Sequence, residues 1–299
     1  MDRNERFDMA DRIITIGFWM NTLLMIMKLM AGYFGNSEAV FADGIESASD
    51  FVAILSAFIA LKIGRKPFDE KHPYGHGKAE SISAILVSLI IFAAGVGILF
   101  KAARTIIVGA YLEPHLIAVF AAFITILIKE TLFQFTHRVS NKLGSPAVEA
   151  IAQDHRKDAL TSIATLIGVG GAYHGILFLD PLAAALTSLF IFHIGWATFR
   201  GAICDLMDSQ LSEDVLSLIT GIAETVPGVE RVGDIRGRRS GQYIIIDLKL
   251  EMAPDMTLKE SHDIVTNVKR MIFLKISNIG DIMILVSPTR EHPEDLIRL

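Results

Sequence analysis

The sequence predicts an α-helical membrane protein, six transmembrane helices followed by a small α+β domain. Three observations predict it. Hydrophobic residues make up 52% of the 299 residues before glycine is counted, whereas a soluble domain holds roughly 45–50% with glycine included. Six apolar stretches are long enough to cross a hydrocarbon layer about 30 Å thick at about 1.5 Å per residue. After about residue 209 the composition changes: charged residues become frequent and apolar runs shrink to five or six residues. The expected domains are therefore 1–208, within the membrane, and 209–299, outside it.

The first span covers residues 13–34, IITIGFWMNTLLMIMKLMAGYF. It is too long for a cleavable signal and no small-residue cleavage site follows it. The others cover about 38–64, 81–106, 114–137, 147–173 and 178–203. Basic residues collect in the N-terminal stretch (Arg3, Arg6, Arg12), the second loop (Arg65, Lys66, Lys71, Lys78) and the fourth (Arg138, Lys142). Positive charge marks the cytoplasmic side, so both termini and the second domain are expected there.

The second domain reads αββαβ. Ser212 can cap a helix to about residue 226, with Glu213 and Asp214 in its first turn. Strands follow near 229–237 and 242–252; in the second, Asp247-Leu-Lys-Leu-Glu251 alternates with period two, as expected when one face meets a core. Thr257-Leu-Lys-Glu260 is a capping box that opens a helix to about 275. Ile282–Val286 reads as a last buried strand. Two helices on one face of a small sheet make a ferredoxin-like layer.

Charge and cysteine content exclude some classes. The net charge of −5, from 28 basic and 33 acidic residues, carries no polyanion-binding signal, so nucleic acid is not an expected partner. A single cysteine, Cys204, rules out an internal disulfide and a cysteine-rich zinc site. No HExxH stretch occurs and no serine or cysteine stands beside a plausible base, so the chain does not read as an enzyme.

The informative residues are carboxylates where lipid should be. Each costs about 2.5–3.5 kcal/mol at a bilayer centre on insertion scales. The second span holds Asp43, Glu46 and Asp50 on one helical stripe; the fifth holds Asp154 and Asp158 at i, i+4, again on one face. Glu46–Asp50 and Asp154–Asp158 can close a four-oxygen cage around a divalent cation. Such carboxylates repel one another, and either a cation or protons relieve the repulsion, so metal and protons can alternate there. The same acids can instead pair with Lys28, Lys129, Arg156 or Lys157. His155 lies about 100° off the Asp154 stripe and suits a neighbouring role. Lys129 and Glu130 diverge on their helix and suit contacts with other helices or the rim.

The second loop runs Pro67 to Glu80, PFDEKHPYGHGKAE. Asp69, His72 and His76 can converge on a metal. They fit a solvated polar loop with Pro and Gly turns equally well.

Taken together, the six spans, the acid pairs in the second and fifth, HPYGHGKAE at His72–Glu80, D-H-R-x-D at Asp154–Asp158 and the αββαβ tail resemble the cation diffusion facilitator family over nearly the whole chain. The resemblance implies a homodimer, or a heterodimer with a related transporter, that exports a divalent metal in exchange for protons. Its transport site would be Glu46, Asp50, Asp154 and Asp158, with Asp43 tuning it. Zinc members carry one or two histidines at these four positions; here all are carboxylates, and oxygen donors suit Mn²⁺ or Fe²⁺ better than Zn²⁺. Asp69, His72 and His76 match the family's loop metal site. Lys78 and Asp208 match a pair that tethers the loop to the end of the sixth span near the dimer interface. The tail departs from the zinc members: Gly233, Lys249, Leu285 and Ser287 stand where they hold metal ligands, leaving Asp247 and His262 for a weaker site. HPYGHGK, Leu206-Met-Asp-Ser209 and Arg236-x-Arg-x-x-Gly241 are similar to the magnetosome-associated branch, which handles iron. The membrane would then be the cytoplasmic or the magnetosome membrane. The competing reading is a scaffold or metal sensor that recruits partners through its tail without transporting.

Overall fold

The computed structural model describes residues 3–66, 69–143 and 145–289. Pro67 and Phe68 of the second loop, the side chains of Arg3 and Arg6 and the last ten residues of the second domain lie outside the described residues.

Six long helices come first: α1 (Arg3–Phe34), α2 (Glu38–Gly64), α3 (Ala79–Val108), α4 (Leu116–Leu143), α5 (Pro146–Tyr173) and α6 (Leu179–Leu206). Each expected span is realised as a helix. α1 begins well before residue 13 because the polar stretch ahead of it continues the helix. Five helices, all but α5, are long and apolar enough to cross a membrane. α5 falls short because its first half carries Glu149, Asp154, Arg156, Lys157 and Asp158; only from Ala159 onward is it free of charge. Its buried residues Val148, Ala152, His155, Ala159, Ser162 and Thr165 recur every three or four positions. That stripe packs chiefly on α4. Ser145 caps α5 by accepting a hydrogen bond from the Val148 amide, with Pro146 at the first helical position.

The chain divides into two compact units, Met1–Ser56 with Leu86–Phe199, and Ala57–Ile85 with Arg200–Leu299. The second therefore takes in the end of α2, the loop after it and the start of α3 as well as the tail.

In the first unit, small residues let helices approach closely. Gly32 of α1 has the backbone of Phe41 where a Cβ would stand, and Gly168 of α5 has Ala183 of α6. Small residues at such crossings are how helices pack without a hydrophobic drive. Large apolar side chains such as Trp19 and Phe100 stand exposed on α1 and α3. Lipid is the solvent in which such a surface is stable.

In the second unit, α7 (Glu213–Glu224), β1 (Arg231–Ser240), β2 (Tyr243–Met252), α8 (Leu258–Lys275) and β3 (Ile279–Pro288) form the αββαβ layer. β1 pairs antiparallel with β2, and β3 returns parallel to β2 after the α8 crossover, in the order β1-β2-β3. Ile244, Ile246, Leu248, Leu250 and Met252 alternate down one face of β2 and pack on Ile219 and Ile222 of α7 and Val268 and Ile272 of α8. Each such side chain, fully buried, contributes about 1.5–3 kcal/mol. The Thr257–Glu260 capping box is formed in full. Ser212 occupies the N-cap of α7 with an extended backbone, but its hydroxyl makes no capping bond. β3 is not the buried strand that its apolar run suggests: only Ile279 and Ile282 are buried. It lies at an edge of a sheet covered by helices on one face, so every second apolar residue points away from the core.

Candidate functional site

Asp50 of α2 and Asp154 and Asp158 of α5 line one cavity of about 390 Å³, together with His155, Lys129 of α4 and Lys157. Helix periodicity accounts for the convergence, since Asp154 and Asp158 are one turn apart on α5. Glu46 lies one turn along α2 from Asp50. It is 5% exposed, and one of its oxygens, Oε2, has no hydrogen-bond partner. The charges of Asp43, Asp50 and Asp158 all act on it.

The four-oxygen cage is not gathered as the spacing suggests. Among the described residues, the loop residues Asp69, His72 and His76 form the one group of three or more metal-ligating side chains within 4.8 Å of one another. Four like charges repel, and Asp158 turns to a cation of the protein instead. Lys129 Nζ donates to Asp158 Oδ2 at 2.5 Å and to Asn21 Oδ1 of α1 at 2.7 Å. Lys129 does contact other helices, as expected, but through a residue of the acid quartet and inside the cavity. Asp43 is likewise engaged. Its Oδ1 accepts from Lys28 at 2.8 Å and its Oδ2 from Ser162 at 3.0 Å, so it is not a free ligand. Two of the four candidate bases thus pair with acids. The other two stack on rings, Arg156 over Phe133 and Lys157 over Phe190. His155 is 3% exposed with neither ring nitrogen hydrogen-bonded, and its Nε2 sits beside Gly17 of α1.

From Asp69 onward the second loop is held by its own side chains. Asp69 Oδ1 accepts from the His72 and Lys71 amides at 2.7 and 2.9 Å. It also lies 3.2 Å from His72 Nδ1, and Asp69 Oδ2 lies 3.5 Å from His76 Nε2. The His72 amide, with the His72 ring and Lys71 amide beside it, holds the Asp69 carboxyl below the usual carboxylate range. One oxygen and two nitrogens converging in this way fit a divalent metal with mixed donors.

Lys78 donates to Asp208 Oδ1 at 2.6 Å and to the Asp205 carbonyl. Arg238 of β1 donates to Asp208 Oδ2 at 2.8 Å and stacks on Tyr74. Asp208 itself has φ 55°. It ends α6 in the left-handed conformation, with the Ser209 amide reaching back to the Cys204 carbonyl at 3.0 Å. Hydrogen bonding by Lys78, then by Arg238, holds the Asp208 carboxyl below its usual range. Sequence reasoning missed Arg238 and Asn21, whose partners lie far away along the chain.

Asp247 and His262 are not brought together. The residues flanking Asp247, Ile246 and Leu248, face the helices, so Asp247 faces the other side of the sheet, while His262 is exposed on α8. A strand's period of two separates them. Lys249 shares the Asp247 face, and Leu285 of β3 is exposed, so the positions that hold ligands in zinc members offer no donor set here.

The family model described as cation efflux transmembrane domain matches residues 14–207. The chain belongs to the cation diffusion facilitator family. A second model, cation efflux protein, cytoplasmic domain, matches residues 211–289. Among curated relatives, the manganese efflux system protein MneP of Bacillus subtilis (strain 168) is 34% identical over 296 residues, 97% of this chain and 99% of that protein. The manganese efflux system protein MneS, from the same organism, is 33% identical over 83% of this chain and 85% of its own. The magnetosome protein MamM of Paramagnetospirillum magneticum (strain ATCC 700264 / AMB-1) is 33% identical over 88% of this chain and 84% of its own.

As a cation diffusion facilitator, the chain is a multi-pass integral membrane protein of a family of metal efflux transporters. The matched cytoplasmic domain points to dimerisation of the family member that carries it.

Proposed function

We infer that this cation diffusion facilitator exports Mn²⁺, or Fe²⁺ in its place, in exchange for protons, using Glu46, Asp50, Asp154 and Asp158. The observation that carries this reading is the cavity lined by Asp50, Asp154 and Asp158. These three and Glu46, the four matched positions, offer only carboxylates, and oxygen donors favour harder ions than zinc. The name of MneP, a manganese efflux protein, supports the same choice. Protons exchange for the metal because carboxylates crowded together are neutralised by either. Asp69, His72 and His76 hold a second divalent ion at the loop, and Lys78 with Asp208 ties that loop to the end of α6. The boundary between membrane and cytoplasmic parts falls at 208/209, both termini lie in the cytoplasm, and the tail joins two copies.

A scaffold without transport draws on one observation, the capture of Asp158 by Lys129. Purified protein in liposomes with an imposed pH gradient separates the two. The transporter takes up Mn²⁺ or Fe²⁺ faster than Zn²⁺, and Asp158→Ala, though folded and inserted, does not. Zinc preference would discard the metal assignment; no uptake by folded wild type would leave the scaffold.

A further inference from the structure

We propose that Lys129 is a built-in competitor of the transported cation: its ammonium occupies Asp158 in the unloaded carrier, and the divalent ion must displace it. This rests on the transport-site reading above and adds to it a residue that sets affinity.

Lys129 is 3% exposed on α4, within the wall of the cavity that Asp50, Asp154 and Asp158 also line. Its ammonium has three donors. One meets Asp158 on α5 and another meets Asn21 on α1, so a single charge joins three helices at the site. Lys157, the other lysine at the cavity, lies 5.3 Å over the Phe190 ring; among the described residues Lys129 is the cation ion-paired with an acid of the quartet.

Three consequences follow from electrostatics. An unloaded carrier must cross its conformational cycle with several carboxylates in a low-dielectric wall, and one resident positive charge offsets one of them. A divalent ion brings two charges and reaches several carboxylates, so it can displace a monovalent ammonium that holds only one. Displacement also removes one polar tie between α5 and the α1–α4 pair, while the packing of α5 on α4 stays in place. Asn21 remains as an acceptor for the displaced ammonium, which limits the cost of moving it. A transporter also needs to release its cargo, and a resident competitor keeps binding weak enough to do so.

The test is Mn²⁺ binding to detergent-purified wild type, Lys129→Met, Lys129→Gln and Asp158→Asn by titration calorimetry, with uptake into liposomes measured in parallel. Both Lys129 variants are expected to bind Mn²⁺ on the order of tenfold more tightly and to turn over more slowly, because the unloaded form loses its counter-charge. The glutamine variant keeps a donor for Asn21, so it guards against a methionine variant that fails to fold. A folded Lys129→Gln protein that binds Mn²⁺ no more tightly than wild type overturns the proposal, and reduces Lys129 to a strut between helices. The reading beneath it is tested separately: Asp158→Asn should lose binding, and unchanged affinity in that variant would remove Asp158 from the transport site whatever Lys129 does.

Discussion

Lys28 and Asp43 form an ion pair 2.8 Å long whose side chains are 1% and 3% exposed. Ser47 accepts a second bond from the ammonium and Ser162 of α5 donates to the other carboxylate oxygen. Both charges are therefore withdrawn from solvent and nearly saturated with partners. Removing one alone strands the other, at a cost of about 3–5 kcal/mol. Lys28→Met is expected to unfold in detergent at much lower temperature than wild type. Asp43→Asn in the same background, which keeps an oxygen for Ser162, should restore most of the loss. Strictly additive effects in that double-mutant cycle would mean the pair is not coupled.

The donor set at the transport site predicts selectivity. Asp154 lies one turn from Asp158 and, among the described residues, makes no ion pair that an imidazole there would disturb. Asp154→His is expected to raise the preference for Zn²⁺ over Mn²⁺ by about tenfold, equivalent to 1.4 kcal/mol of differential binding. Competition between the two metals for liposome uptake measures it. An unchanged ratio would show that the donor atoms at this position do not set the choice.

Asp208 predicts a pH dependence. Its carboxyl lies below the ordinary value of 3.8 because Lys78 and Arg238 favour the ionised form. A depressed carboxyl contributes stability above the unfolded value and loses it as pH falls through the folded one. Asp208→Asn keeps a residue tolerant of the left-handed backbone and removes only the charge. Its two partners are part-exposed, at about 0.2–1 kcal/mol each. The thermal-shift difference between wild type and variant should stay level from pH 5 to 8. It should shrink as the solution is taken below about pH 4. A difference that grew on acidification would contradict the assignment.

Much of the architecture was legible because it depends on local pattern. Span length follows from apolar run length, and the Thr257–Glu260 box and the alternation of β2 are local signals that the structure realises. Where local reading went astray, the reason was topology. β3 reads as buried from its residues and is half exposed because it stands at a sheet edge. Asp247 and His262 read as a pair in the sequence, and strand alternation and helix placement put them on opposite faces. Lys129 is one of four bases that the sequence offers to the acids, and helix spacing alone reads it as a contact with other helices or the rim; packing selects it for Asp158 and adds Asn21.

The sequence by itself determined that this protein lives in a bilayer, where its long helices lie along the chain, and which carboxylates share a helical face, because hydropathy and helical period act over a few residues. Only the tertiary structure decided which cation each acid meets. Lys28 takes Asp43 and Lys129 takes Asp158 across consecutive helices, α1 to α2 and α4 to α5. A buried charge settles on whatever opposite charge the packing brings within reach.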